Sequence, residues 1–447
     1  MSRAKPTPQP RPMHRRHRFT DVLAQRDLRW FAAGYATSRL GSAMAPVAIA
    51  FAALSVGGAQ TLGWLMAARI LPVVVFLLLG GVLADRLGSR LVMITADVVR
   101  CAGQAAFGAL LLIGHPSLAA LLVIATAVGI GEGAFTPSLP ALIPQIAGRE
   151  RLTEANALLS VLASSAQITG PVLGGMLAGT TSPAVVLLAD AASYAVSVVV
   201  LIKLSGLRPP ASAHSSLLRD LRDGWTQFSS RAWLWVPTLQ FCLFNALVWA
   251  PYLVLGPLVA QARLGGASAW GFVMAANGAG AVSGGMFIAN RKPHRPLLVA
   301  TATTFGYAAP LAALASPLPL ACVCVGAFIA GFGGSIGQAL SASTTQRLIP
   351  VETLGRISAW ETLGAFALGP LALAAAGPVG SAVGVTHLLT FSVIWQVTSV
   401  ALMLLVPSIR QIRSVPEPAD ELIADPAPAS SLAGPHPSAD PHASRTA

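Results

Sequence analysis

Long apolar runs cut by short polar stretches set the rhythm of this chain from about residue 30 to residue 406. Each run has about 20 residues or more, enough to cross roughly 30 Å of hydrocarbon as a helix rising 1.5 Å per residue. The pattern predicts spanning helices near 30–55, 62–84, 91–113, 118–143, 154–179 and 184–204. Six more follow near 233–259, 269–289, 296–314, 318–346, 357–379 and 383–406. In the first half the turns on one side are short: Gly57-Gly58-Ala59-Gln60, His115-Pro116 and Thr181-Ser182-Pro183. The turns on the other side carry the charges. In the longest internal loop, 205–231, Leu217, Leu218, Leu221, Trp225 and Phe228 recur at helical spacing with Arg219, Asp220, Arg222 and Asp223 between them. That spacing predicts an amphipathic helix lying on the membrane, with a plain linker as the alternative.

The pattern repeats with a period of roughly 200–206 residues. Arg29-Trp30 has a counterpart in Ala232-Trp233, Gly80-Gly81 in Gly284-Gly285, Ile143-Pro144 in Ile349-Pro350, and Gly170-Pro171 in Gly369-Pro370. Matches in this order predict an all-α membrane protein of two pseudo-symmetric six-helix halves with a site between them near the midplane. The expected order is a tail (1–29), a six-helix bundle (30–204), a linker (205–231), a second bundle (232–407) and a disordered tail (408–447).

Composition sharpens this picture. The chain has 447 residues, 54% hydrophobic and 10% charged, against about 25% charged in soluble domains. A net charge of +12 would fit nucleic acid, but its placement argues otherwise. Arg39, Arg69 and Arg100 fall within apolar runs and Arg263 in the short-turn set; every other lysine and arginine lies in the termini or the charged turns. This asymmetry predicts both termini in the cytoplasm. The basic stretch Arg11, Arg15, Arg16 and Arg18 then faces anionic lipid. The first apolar run is too long and too far from residue 1 for a cleavable signal. Cys101, Cys242, Cys322 and Cys324 all fall in apolar runs without nearby histidine, so neither a metal site nor a disulfide is expected.

The turn Gly80-Gly81-Val82-Leu83-Ala84-Asp85-Arg86-Leu87-Gly88-Ser89-Arg90 separates the second and third runs. Asp85 sits at a helix C-terminus, where the dipole disfavours an anion, so it needs a cation or another helix N-terminus. The pattern G-x-L-x-D-R-x-G-x-R, on Gly81, Asp85, Arg86, Gly88 and Arg90, resembles the signature loop of the major facilitator superfamily. The resemblance implies that Asp85 contacts the start of the eleventh helix, near Ile357 to Glu361. The second copy of the loop is degenerate, with Ala289 or Asn290 at the aspartate position. Thr169-Gly170-Pro171-Val172-Leu173-Gly174-Gly175 resembles the G-P-x-x-G-G motif of superfamily exporters, where a bend favours antiport. The alternative is a packing kink. Ser38-Arg39-Leu40-Gly41, Asp190-Ala191-Ala192-Ser193-Tyr194 and the Leu221-to-Trp233 segment resemble the enterobactin-exporter-like branch, which holds multidrug, macrolide and siderophore exporters. The arginine-bearing fourth-helix motif of many proton antiporters is replaced by Gly129-Ile130-Gly131-Glu132-Gly133.

Ionisable residues inside spans are costly and become functional candidates by default. Asp97 and Arg100 lie three apart on one helix face. At 1.5 Å per residue, Arg39 and Arg100 lie roughly 14 Å and Glu132 about 17 Å from the inner face, while Arg69 and Asp190 lie roughly 10 Å from the outer one. These depths pair Glu132 with Arg39 or Arg100, and Asp190 with Arg69. Glu132, Asp190 and Asp97 are the proton-coupling candidates, Glu132 first. Burial favours its neutral form, a nearby arginine its charged form, and its glycine flanks admit a neighbour. Asn245, Trp249 and Tyr252 form a helical stripe that could face a cavity, as could Gln167 and Gln338. GFGG at 331–334 lacks the Lys-Ser/Thr of a phosphate loop, and no constellation points to an enzyme, a cofactor or a metal.

The reading is a monomeric secondary transporter of the cell membrane that exports a small, partly apolar molecule in exchange for protons. Import or facilitated passage by the same fold, and a non-transporting receptor or scaffold, are the alternatives.

Overall fold

The computed structural model describes residues 25–114, 116–148, 151–204, 225–289 and 291–412. Its first helical stretch, Arg26–Leu87, runs for 62 residues, far more than the roughly 20 that one crossing needs. It is two spans. Gly58 adopts φ 70°, ψ −161°, a conformation that side chains disfavour and glycine tolerates. The chain therefore reverses there, giving α1 (26–56) and α2 (59–87). Then follow α3 (Ser89–Ile113), α4 (Leu118–Ala147), α5 (Leu152–Thr180) and α6 (Pro183–Lys203). The second half holds α7 (Ala232–Leu264), α8 (Gly266–Ala289), α9 (Pro296–Ala315), α10 (Leu320–Leu348), α11 (Ile357–Val383) and α12 (Val385–Leu405). No strand occurs among the described residues. The twelve-helix expectation is met, and the span limits agree to within a few residues because length and punctuation fix them.

Three departures are local. Within α7, Asn245–Trp249 and Ala260–Leu264 are π-helical turns, and Thr304–Tyr307 of α9 is a 3-10 turn. Apolar periodicity does not encode these. Pro171 leaves α5 unbroken, whereas a turn at Ala367-Leu368 precedes its repeat, Gly369-Pro370, in α11. Residues 205–224, which carry most of the amphipathic pattern, lie outside the described residues. Of the remainder, Trp225 meets Trp360 with ring centroids 4.8 Å apart and the planes tilted by 57°, and Phe228 is buried with Leu234, Ile349 and Ile357. Phe228 is thus packed into protein, while Trp225 remains half exposed.

Helices α1–α6 pack as one bundle and α7–α12 as another. The bundles meet through α2 with α11 and α5 with α8, and the closest approaches are main chain on main chain. A methyl group at Gly175 would stand 2.6 Å from the Ala267 carbonyl, one at Gly278 2.8 Å from that of Gln167, and one at Gly377 2.5 Å from that of Ala59. Gly63 and Gly271 press on Leu373 and Pro171 in the same way. The Ser268 hydroxyl donates to Gly175 O at 3.2 Å. Most of these contacts lie toward the end that carries the turns at 57–58 and 181–182, whereas Gly278 meets Gln167 near the middle of α8 and α5. Small residues let backbones approach this closely. Gly170 and Gly174 serve the first bundle instead, abutting Ala43 and Met44 of α1.

Candidate functional site

The polar residues of the first bundle converge on its axis. Arg69 (α2) donates from Nε to Glu132 Oε2 (α4) at 3.0 Å and from Nη2 at 2.9 Å. This corrects the depth-based pairing of Glu132 with Arg39 or Arg100. Depth fails because helix adjacency decides. Gly129 rests against the backbone of Arg69, and a methyl at Gly133 would meet Val73 O at 2.8 Å, so α2 lies against α4 at this level. A methyl at Gly131 would meet Ala96 O and Arg100 Cγ at 2.8 Å, so α3 packs there as well. The glycines flanking Glu132 therefore admit neighbouring helices.

Arg100 has another partner. It pairs with Asp97 three residues earlier, and its guanidinium lies 4.3 Å from the Phe135 ring centroid and 4.5 Å from that of Tyr194. Cations over aromatic faces gain about 2 kcal/mol when desolvated. Asp97 also accepts from Ser197 Oγ at 2.6 Å. Asp190 does not pair with Arg69 as its depth implied. It accepts from Gln104 Nε2 at 2.9 Å, with Ser193 Oγ at 3.4 Å. Tyr194 Oη and Ser42 Oγ are 2.9 Å apart. Arg39 lies 5.1 Å from the Tyr35 ring and makes no ion pair among the described residues. Gln104, Ser197 and Phe135 were not singled out from the sequence, and Ser193 and Tyr194 entered only as part of a motif resemblance. A signal existed for most of them: Asp190, Ser193, Tyr194 and Ser197 form one polar stripe on α6, and Gln104 continues the face of Asp97 and Arg100.

Exposure separates the acids. Asp97 and Asp190 are fully buried, whereas the Glu132 side chain is 38% exposed. Val123, 69% exposed, sits about two and a half turns earlier, on the opposite face of the helix. Glu132 therefore faces away from the bundle's outer surface, toward the space between helices.

Of the signature loop, Arg86 is exposed and Gly88 has φ 89°. Arg90 donates to Leu201 O at 2.8 Å and also to Ile202 O, capping the C-terminal carbonyls of α6. The surroundings of Gly81 and the side chain of Asp85 lie outside the described residues, as does Asn290. In the second bundle Asn245 donates to Phe241 O and Ala365 O at 3.0 and 3.2 Å. It is thereby committed to joining α7 to α11. Trp249 and Tyr252 line a recess with Asn277 and Tyr307. Gln167 and Gln338 are exposed. Trp270 is buried against Tyr252, with ring centroids 5.2 Å apart. Among the described residues no histidine, cysteine or acidic cluster could hold a metal.

Residues 31–374 match the Major Facilitator Superfamily. An enterobactin exporter, EntS, of Shigella boydii serotype 18 is 26% identical over 350 residues, covering 76% of this chain and 82% of the relative. That of Shigella flexneri is 27% identical over 347 residues, with the same coverage. Among solved structures, the nucleoside transporter NupG superposes with a TM-score of 0.67 at 9% identity, covering 85% of this chain and all of NupG. A bacterial homologue of the human lysosomal transporter Spinster, inward-facing, superposes at 0.62 and 14% identity, over 88% and 99%. At such identities the structural likeness concerns the fold. The family match spans both bundles, and the chain belongs to the major facilitator superfamily as a membrane transporter and not an enzyme.

Proposed function

We propose that this transporter exports a small, partly apolar molecule in exchange for protons, by alternating access across the cell membrane. The observation that carries the reading is the Arg69–Glu132 pair: a carboxylate inside the bundle, 38% exposed and held by one cation. A group so placed can trade its cation for a proton or a substrate charge as the surroundings open to one side and then the other. Asp97 and Asp190 stand second, because each is sealed from solvent and fixed by hydrogen bonds. Export is favoured by the resemblance to proteins named as exporters, and by Gly175 of the G-P-x-x-G-G motif lying at the seam between the bundles. With the basic turns cytoplasmic, the seam belongs to the external side. Glu132→Gln should fold and bind substrate yet lose transport driven by a pH gradient, measured in proteoliposomes. Undiminished uphill transport with unchanged pH dependence would falsify the assignment.

A further inference from the structure

A recess lies inside the first bundle, among α1–α4. Its walls include Ile49 on α1, Arg69 on α2, Gln104 and Phe107 on α3 and Ala125 on α4. Arg69 and Gln104 are its polar members. Its free space is about 20 Å³, room for one water molecule.

Both polar walls have bonding capacity left over. Gln104 is fully buried, and its Nε2 donates to Asp190 Oδ2 at 2.9 Å. Its Oε1 is buried as well and has no partner. An unmade bond at a buried amide oxygen is costly, and leucine would fill similar volume without that cost. Since Nε2 is turned to Asp190, Oε1 is the amide atom left for the recess. On the α2 wall, Arg69 commits Nε and Nη2 to Glu132, and a guanidinium has further N–H donors. An acceptor on one wall, a donor on another and space for one water between them are what a bridging water needs. It donates to Gln104 and accepts from Arg69.

We propose that the recess binds one water molecule, and that Gln104 is a positioning residue that links Asp190 through this water to the Arg69–Glu132 pair, a role that rests on the proton-exchange reading above. Asp190 and Glu132 stand on different helices and share no direct bond. The chain Glu132–Arg69–water–Gln104–Asp190 makes them one unit. Ionised, Asp190 accepts from the amide nitrogen, and the amide oxygen faces the water. Holding the exchanged proton, Asp190 becomes a donor, and the amide turns over to offer its oxygen. The nitrogen then meets the water, which loses its acceptor and reorients away from Arg69. The Arg69–Glu132 pair thereby registers whether Asp190 holds a proton. The other charged or titratable groups facing Asp190 are Arg100 and Cys101 from α3 and Tyr194 beside it on α6. On α1 it meets Gly41, which carries no side chain, and α5 has no ionisable residue beyond Glu154 at its start.

The test uses the full chain in lipid nanodiscs. X-ray radiolysis turns bound water into hydroxyl radicals, which oxidise the side chains beside it. Phe107, although 2% exposed, should be oxidised several-fold faster than Phe244 in the second bundle, which is 5% exposed. Gln104→Leu removes the acceptor, and Ala125→Val fills the space without touching a polar group. Both should bring Phe107 down to the level of Phe244. The link is read by infrared titration of the Asp190 carboxyl band, identified by its loss in Asp190→Asn. Glu132→Gln should shift the midpoint of that band, and the shift should shrink by more than half in the Gln104→Leu and Ala125→Val backgrounds. Phe107 oxidised no faster than Phe244, or as fast in both variants as in the wild type, overturns the water site. An undiminished shift in both backgrounds overturns the link. These measurements use neither substrate nor gradient. If they hold while wild-type proteoliposomes move nothing against a pH gradient, the proton-exchange reading falls and the water site stands.

Discussion

Asp97 and Glu132 each sit beside an arginine, yet the two pairs should respond differently to mutation. Arg100 is buried between two rings, so Asp97→Ala strands a cation in a low-dielectric interior, at a cost of about 3–5 kcal/mol. The yield of monodisperse protein in size-exclusion chromatography should fall several-fold. Asp97→Ala combined with Arg100→Leu should recover much of it, since no charge is then left unpaired. If the double variant behaves no better than Asp97→Ala, the pair is not what holds these helices. Glu132 is partly open, so its neutralisation should spare the fold and strike transport. The Asp97–Arg100 pair was legible in the sequence because a three-residue spacing fixes helix faces without knowledge of the fold. The Arg69–Glu132 pair was not. Depth arguments left Arg69 and Glu132 only a few ångströms apart, within side-chain reach, but did not say which helices touch. Gly129 and Gly133 decide that, and their meaning emerges only once α2 lies against them.

Among the helices, the work of the Gly170-to-Gly175 stretch divides. Gly170 and Gly174 hold α5 to α1 within a bundle, whereas Gly175 lets α5 meet α8 across the seam. Gly170→Leu should therefore damage folding. Gly175→Leu should fold but hold the seam apart, favouring the state open at that end. The second outcome can be read as a longer spin-label distance between the 57–58 and 377–381 ends, with transport below about a tenth of wild type. A normal distance and normal transport would show that the seam tolerates bulk. Motif resemblance placed these glycines on one helix; that they face different partners follows from three-dimensional packing. The π-turns of α7 were equally invisible beforehand, because they add a residue to a turn without changing the apolar pattern.

For the molecule as a whole, charge asymmetry sets the direction of insertion. On a cysteine-free background, thiol labels added outside should reach Gly58→Cys and Thr181→Cys but not Ser216→Cys. External labelling at 216 would invert the topology and exchange the inward- and outward-open states. The span count was legible end to end, since bilayer thickness imposes it on any helical chain. The seam carries a further consequence. Its described contacts join glycine Cα atoms, carbonyl oxygens and one serine hydroxyl, all uncharged. Dispersion and fit hold such a latch, with no Coulomb energy for ions or protons to act on. Its opening rate should track temperature and bilayer thickness yet stay flat with ionic strength and external pH. A cell that acidifies or salts its surroundings would then leave the latch unaltered, and only the carboxylates behind it would register the change.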